Sequence, residues 1–210
     1  MSIIALCGQK GGISKSTTAA HLCQWLIDAD KTVALADCDA QQSSSIWVGA
    51  IAAPIHTEVL PTTDEILDRI PAIAAEHDYV VIDGPAGLSE LTRTILLRAD
   101  LALVPCKPTG VDVRSAADTV RLIEQAQSVR GGSPKAALFL AMAVKGTNLK
   151  GESLEVLRGL GLPVLSAVIH QKQAVADAFG QQSTVFDMGG RSAADSAREF
   201  ANLFREAIAL

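Results

Sequence analysis

Seven short apolar runs alternate along the chain with longer segments whose apolar residues recur at helical spacing, and this alternation constrains the fold more than any other feature. The runs cover residues 3–7, 32–37, 55–60, 79–83, 101–105, 137–144 and 164–169. The helical segments cover 16–29, 42–50, 63–75, 89–98, 113–129, 149–160 and 173–179, with a last one from Ser192 to the C-terminus. Continuous apolar strands have no polar face to turn to water, so both faces of their sheet must be covered. Strands joined through helices meet that need as a mostly parallel sheet with helices on both faces, a doubly wound α/β fold. A chain of 210 residues, 49% of them apolar, is long enough to bury a sizeable core, and the expectation is one domain over residues 1–210. No repeat, low-complexity tract or charge run breaks the pattern, and Arg130-Gly131-Gly132-Ser133-Pro134 reads as a helix stop before a strand.

A formal net charge of -5 argues against coating nucleic acid by bulk charge and leaves only a local basic patch for such contacts. Cys7, Cys23, Cys38 and Cys106 form no C-x-x-C pair and are expected as buried, reduced thiols. The N-terminus lacks a basic region followed by a sustained apolar stretch, so it does not read as a signal peptide. No segment reaches the roughly twenty apolar residues needed to span a bilayer. The expected location is the cytoplasm.

Between the first strand and the first helix lies GQKGGISKST, Gly8 to Thr17. The phosphate loop G-x-x-x-x-G-K-[ST] joins a strand to a helix so that consecutive backbone N–H groups surround phosphate at the positive helix end. Here Gly8 opens the loop, Lys15 supplies the cation for the β- and γ-phosphates, and Ser16 can place a hydroxyl on Mg²⁺. Lys10, Gly11, Gly12, Ile13, Ser14, Lys15, Ser16 and Thr17 are the candidate nucleotide-binding residues. Asp83 ends the run Tyr79-Val80-Val81-Ile82, where an acid either holds Mg²⁺ or serves as a turn residue before Gly84-Pro85. Gly84-Pro85-Ala86-Gly87 has the glycines of a segment that shifts when a γ-phosphate leaves. Asp37 and Asp39, two apart on an extended strand end, are expected to point the same way, and either is placed to bind metal.

These motifs resemble the ParA/MinD class of P-loop ATPases. KGGISKST is similar to its deviant Walker A motif K-G-G-x-x-K-[ST], ALADCDAQQSS to its D-x-D-x-Q segment, and VVIDGPAG to its Walker B and switch segment. LVPCKPTGVDVRSAA is similar to the connection that follows in that class. The small plasmid- and chromosome-partition ParA proteins are nearest in build. The resemblance implies ATP and Mg²⁺ as cofactors, slow and partner-stimulated hydrolysis, and an ATP-bound homodimer in which Lys10 reaches the partner's nucleotide. It also implies that Asp39 orients the attacking water, making Asp39, Lys10 and Lys15 the catalytic candidates and Ser16, Asp83 and Asp39 the metal candidates. Ser14 departs from the glycine usual in the class; a requirement for positive φ there makes serine costly by on the order of 1 kcal/mol.

The resemblance further implies non-specific DNA binding by the ATP dimer, association with the nucleoid and a ParB-like adaptor that binds centromere or cargo. Lys145, Lys150, Arg158, Lys172, Arg191, Arg198 and Arg205 are candidate phosphate contacts, although each reads first as an ordinary solvated surface residue. The rival readings are the same switch positioning a protein assembly or microcompartment, and MinD-like membrane association. The apolar stripe Phe200, Leu203, Phe204, Ala207 and Ile208 fits core packing better than a membrane surface, because Arg198 and Arg205 are balanced by Glu199 and Glu206. No stable membrane insertion is expected. An iron–sulfur carrier on this scaffold needs the missing cysteine pair, and a metabolic phosphotransferase has no use for Lys10. His170 lacks a second ligand at metal-binding spacing.

Overall fold

The computed structural model describes residues 2–146 and 149–210, with Leu149 and Lys150 described by backbone alone. Strands β1 (Ser2–Gly8), β2 (Val33–Asp37), β3 (His56–Val59), β4 (Tyr79–Ala86), β5 (Leu101–Cys106), β6 (Lys135–Ala143) and β7 (Val164–His170) form one sheet in the order β3-β2-β4-β1-β5-β6-β7. Every pairing is parallel. The connecting helices are α1 (Lys15–Ile27), α2 (Ser43–Ala50), α3 (Thr63–Glu76), α4 (Glu90–Arg98), α5 (Gly110–Val129), α6 (Leu149–Arg158), α7 (Gln173–Gly180) and α8 (Arg191–Ile208).

Successive side chains of a strand face opposite ways, and the core divides accordingly. Ile3, Ala5, Val80 and Ile82 pack beneath α3, α4, α5 and α6, whereas Ile4, Leu6, Val81 and Leu35 pack beneath α1, α2, α7 and α8. The stripe on α8 joins that second layer: Phe200, Leu203, Phe204 and Ala207 are buried, and burial of each large side chain is worth roughly 1.5–3 kcal/mol. Ile208, expected in the stripe, is exposed at the end of the helix. No helix among the described residues is long and apolar enough to cross a membrane.

Two boundaries differ from the sequence expectation in ways that bear on the site. β4 continues past Asp83 through Pro85 to Ala86, pairing Ala86 with Gly8 of β1. Gly84 is demanded there by close approach, since a Cβ on it would stand 2.7 Å from the Leu6 carbonyl oxygen; of the proposed hinge glycines, Gly87 is the one with positive φ, at 104°. α5 begins three residues before the expected Val113, because the Thr109 side chain accepts from the Asp112 N–H and caps an earlier turn.

In a parallel sheet all strands end on one edge, so the connections after β1 and β2 and the end of β4 gather there. Asp83 pairs in register with Leu6 on one side and Asp37 on the other. The segments carrying the phosphate-loop motif and the three candidate acids are thereby brought together.

Candidate functional site

A cavity of about 740 Å³ opens at this edge of the sheet. One end is formed by Gly11, Gly12 and Ser14 to Thr17, one side by Asp39, Pro85 and Ala86, and the other end by Trp47 of α2 with Val175, Ala176 and Phe179 of α7. The first end is backbone-rich and sits at the start of α1, as an anion site requires. The far end is apolar and aromatic, with Trp47 and Phe179 edge to face at 5.5 Å between centroids. The apolar end went unanticipated, because Trp47 and Phe179 sit in unrelated helical segments and each reads as an ordinary core residue.

Within the loop Ser14 has φ 82° and ψ 19°, the left-handed conformation immediately before α1. Its carbonyl accepts from both the N–H and the hydroxyl of Thr18, which pins the first helical turn. Lys15 is buried and its ammonium donates to the Lys10 carbonyl at 3.1 Å. Burial lowers the Lys15 pKa, and the carboxylates of Asp83 and Asp39 act against that shift. Ile13 turns its side chain away from the large cavity into the core, where it fills the space left by the missing Cβ of Gly8.

The three acids occupy different environments, contrary to the expectation that Asp37 and Asp39 point alike. β2 ends at Asp37, whose carboxylate accepts from the N–H groups of Asp39 and Ser45 at 3.0 and 2.8 Å and so holds the β2–α2 turn. Asp39 lies beyond the strand and lines the cavity; its oxygens accept from the N–H of Gln41 at 2.9 Å and of Ala86 at 3.3 Å. It thereby ties the β2–α2 turn to the end of β4. Asp83 is fully buried, and neither of its oxygens has a hydrogen-bond partner among the described residues. Burial pushes its pKa up to about 6. The neighbouring hydroxyls of Ser16 and Ser44 and the charge of Lys15 act against this shift, and the Ser44 hydroxyl is itself unpartnered.

Two unsatisfied carboxylate oxygens buried beside Ser16 are costly without a cation. That donor set fits Mg²⁺, which takes one or two protein oxygens and completes its shell with water and phosphate. No cluster of three or more His, Cys, Asp or Glu suited to a metal occurs among the described residues, so a closed, all-protein metal cage is absent there.

Lys10 does not line the large cavity. Its side chain is 38% exposed and its ammonium lies 3.1 Å from the carboxylate of Asp112 in the first turn of α5. The neighbouring Gln9 accepts the Ser115 hydroxyl through its side chain at 2.8 Å and the Gly87 N–H through its carbonyl at 2.8 Å. The phosphate loop is thus bound to both α5 and the end of β4. Asp112 was not singled out in the sequence, since its partner lies 102 positions away.

Among the candidate basic residues, Lys172 is turned inward onto Glu199 at 2.8 Å, and Arg198 is paired with Asp195. Lys145, Arg158, Arg191 and Arg205 are exposed, and the side chain of Lys150 lies outside the described residues. His170 is likewise paired with Glu199, at 2.9 Å.

The profile of the CobQ/CobB/MinD/ParA nucleotide binding domain matches residues 4–185. Among curated proteins the chain is 28% identical over 206 residues to the maintenance of carboxysome distribution protein A of Halothiobacillus neapolitanus, covering 95% of this chain and 94% of that one. It is 25% identical over 195 residues to protein ParA of Rhizobium radiobacter, covering 90% and 84%. Among solved structures, an ATP complex of Cyanothece McdA superimposes with a TM-score of 0.82 at 15% identity over 100% of this chain and 97% of that one. The MinD cell division protein of Aquifex aeolicus gives 0.78 at 16% identity, covering 98% and 97%. At these identities the structural likeness is one of fold.

Proposed function

The chain belongs to the CobQ/CobB/MinD/ParA nucleotide-binding family, and from that premise we propose that it is an ATP-hydrolysing dimerisation switch that positions a cargo in the cell. The observation that carries this reading is the union, in one cavity, of the phosphate loop and Asp39 above the unpartnered carboxylate of Asp83. Gly11 to Thr17 bind the phosphates through backbone N–H groups, and Lys15 meets their charge from a buried position. Ser16 and Asp83 are the residues to hold Mg²⁺, which when bound neutralises phosphate charge. Asp39, at the cavity wall where it ties the β2–α2 turn to the end of β4, accepts a hydrogen bond from the attacking water and orients it. Lys10 stands outside the cavity at the surface, where it can serve a second subunit's nucleotide and stabilise charge on the transferred phosphoryl group.

The near full-length similarity to a carboxysome-distribution protein supports a protein assembly as cargo. The similarity to ParA supports the second reading, in which the cargo is DNA held through an adaptor. In both, the ATP dimer binds DNA without sequence preference through exposed residues such as Arg191 and Arg205, and that binding weakens steeply with salt.

The test is sizing and DNA co-sedimentation with ATP and Mg²⁺, with ADP, and without nucleotide. The native protein is expected to dimerise and bring down DNA with ATP alone; Lys10→Ala loses the ATP effect, and Asp39→Ala prolongs it by blocking hydrolysis. Neither dimer nor salt-sensitive DNA binding with ATP would overturn the switch.

A further inference from the structure

β7 ends at His170, and α7 starts at Gln173, so the chain turns within two residues. Lys172 occupies the N-cap position of α7 without a side-chain capping bond, so the turn is secured by other means. One carboxylate does this. Glu199 of α8 accepts from the His170 N–H at 3.0 Å and from the Lys172 ammonium at 2.8 Å, and it meets the His170 ring nitrogen Nδ1 at 2.9 Å. The side chains of Glu199, His170 and Lys172 are 19%, 16% and 11% exposed, a setting in which charge-assisted hydrogen bonds are stronger than on the open surface.

The two helices joined by this contact differ in how firmly they are seated. α8 buries Phe200, Leu203, Phe204 and Ala207, and its Glu206 also accepts from the Ser166 N–H of β7. α7 is two turns long and buries only Ala174 and Ala178. Val175 is partly buried beside them and Phe179 packs on Trp47, so α7 has a small core of its own and depends on its ends for the rest of its positioning. Its Val175, Ala176 and Phe179 supply apolar lining to the same cavity that the phosphate loop lines.

We propose that Glu199 is a positioning residue for the base-binding end of the cavity, holding the apolar face of α7 at the distance from the phosphate loop that a nucleoside phosphate requires. This role rests on the nucleotide reading above. Glu199 does not touch the ligand; it acts through the 170–172 turn.

Calorimetric titration with Mg²⁺-ADP and with Mg²⁺-tripolyphosphate, which has the phosphates and no base, separates this from a general structural role. In Glu199→Ala the affinity for ADP is expected to fall about tenfold while that for tripolyphosphate stays within about twofold. Glu199→Gln, which keeps an acceptor for the His170 N–H, and Lys172→Met, which removes one of the tied groups and leaves Glu199 in place, should each show a smaller loss confined to ADP. Phe179→Ala, which alters the wall directly, should reproduce the same selectivity. Equal losses for both ligands, or unchanged ADP binding in all three tether variants, would overturn the Glu199 role alone. Binding of neither ligand by the native protein would overturn the nucleotide reading and this role with it.

Discussion

The Lys10 ammonium is paired within its own chain to the carboxylate of Asp112, at 3.1 Å. The lysine proposed to serve a second subunit is therefore tethered to the first turn of α5, and it must leave Asp112 before it can cross. A partly exposed ion pair of this kind is worth about 0.2–1 kcal/mol. Asp112→Asn, which keeps the Thr109 capping geometry and removes the charge, should tighten the ATP-dependent dimer by up to about fivefold per subunit. Lys10→Ala should abolish the ATP effect. Sedimentation velocity with ATP and Mg²⁺ measures both, and a dimer weakened by Asp112→Asn would mean that Asp112 supports assembly instead of restraining it.

Ser14 holds a left-handed backbone at φ 82°, a conformation that costs a residue with a Cβ about 1–2 kcal/mol. Glycine relieves that strain but brings an unfolded-state entropy cost of about 0.5–1 kcal/mol. Ser14→Gly should therefore stabilise the protein by about 0.5 kcal/mol, a rise in melting temperature of roughly 1–2 °C. The same variant tests whether Ser14 slows the loop: equal ATP turnover in native protein and Ser14→Gly would show that the strain has no part in the rate.

His21, fully buried in α1, is stacked on Phe200 at 4.3 Å and edge-on to Trp47. Its Nδ1 donates to the Thr17 carbonyl and its Nε2 accepts from the Val185 N–H, an arrangement that requires the neutral ring. Burial pushes its pKa down to about 4 from an ordinary 6.5. The unfolded chain then takes up a proton at higher pH than the folded one, so stability is complete above 6.5 and falls as pH drops toward 4, by about 3 kcal/mol across that interval. Urea denaturation at stepped pH should show this slope, and His21→Gln should flatten it; an unchanged slope would assign the acid sensitivity to other groups.

All four cysteines are buried and unpaired, and burial raises each thiol, with Cys7 and Cys106 pushed up to about 12. The nucleophile is the thiolate, so these thiols should be inert toward a disulfide reagent at pH 8 in the native state and all four should react once the chain is unfolded in denaturant. Rapid reaction of one thiol under native conditions would place an opening motion at the segment that carries it.

The layered architecture was legible in the sequence because it depends on local pattern. Unbroken apolar runs such as Tyr79 to Ile82 have only one way to hide both faces, and the phosphate loop depends on backbone geometry that consecutive residues encode. What the sequence left open were the relations that depend on distant segments meeting. Asp37 and Asp39 look equivalent two residues apart, yet the sheet buries one under its own turn and leaves the other in the cavity. Asp83 could be a turn residue until the register with β1 and β2 seals it, unpartnered, beneath Ser16. Lys10 finds Asp112 102 residues away, and His170 and Lys172, just before α7, find Glu199 on α8. Local propensity and periodicity act over a few residues; the partner of a charge and the walls of a cavity are chosen only when burial brings remote segments within a few ångströms.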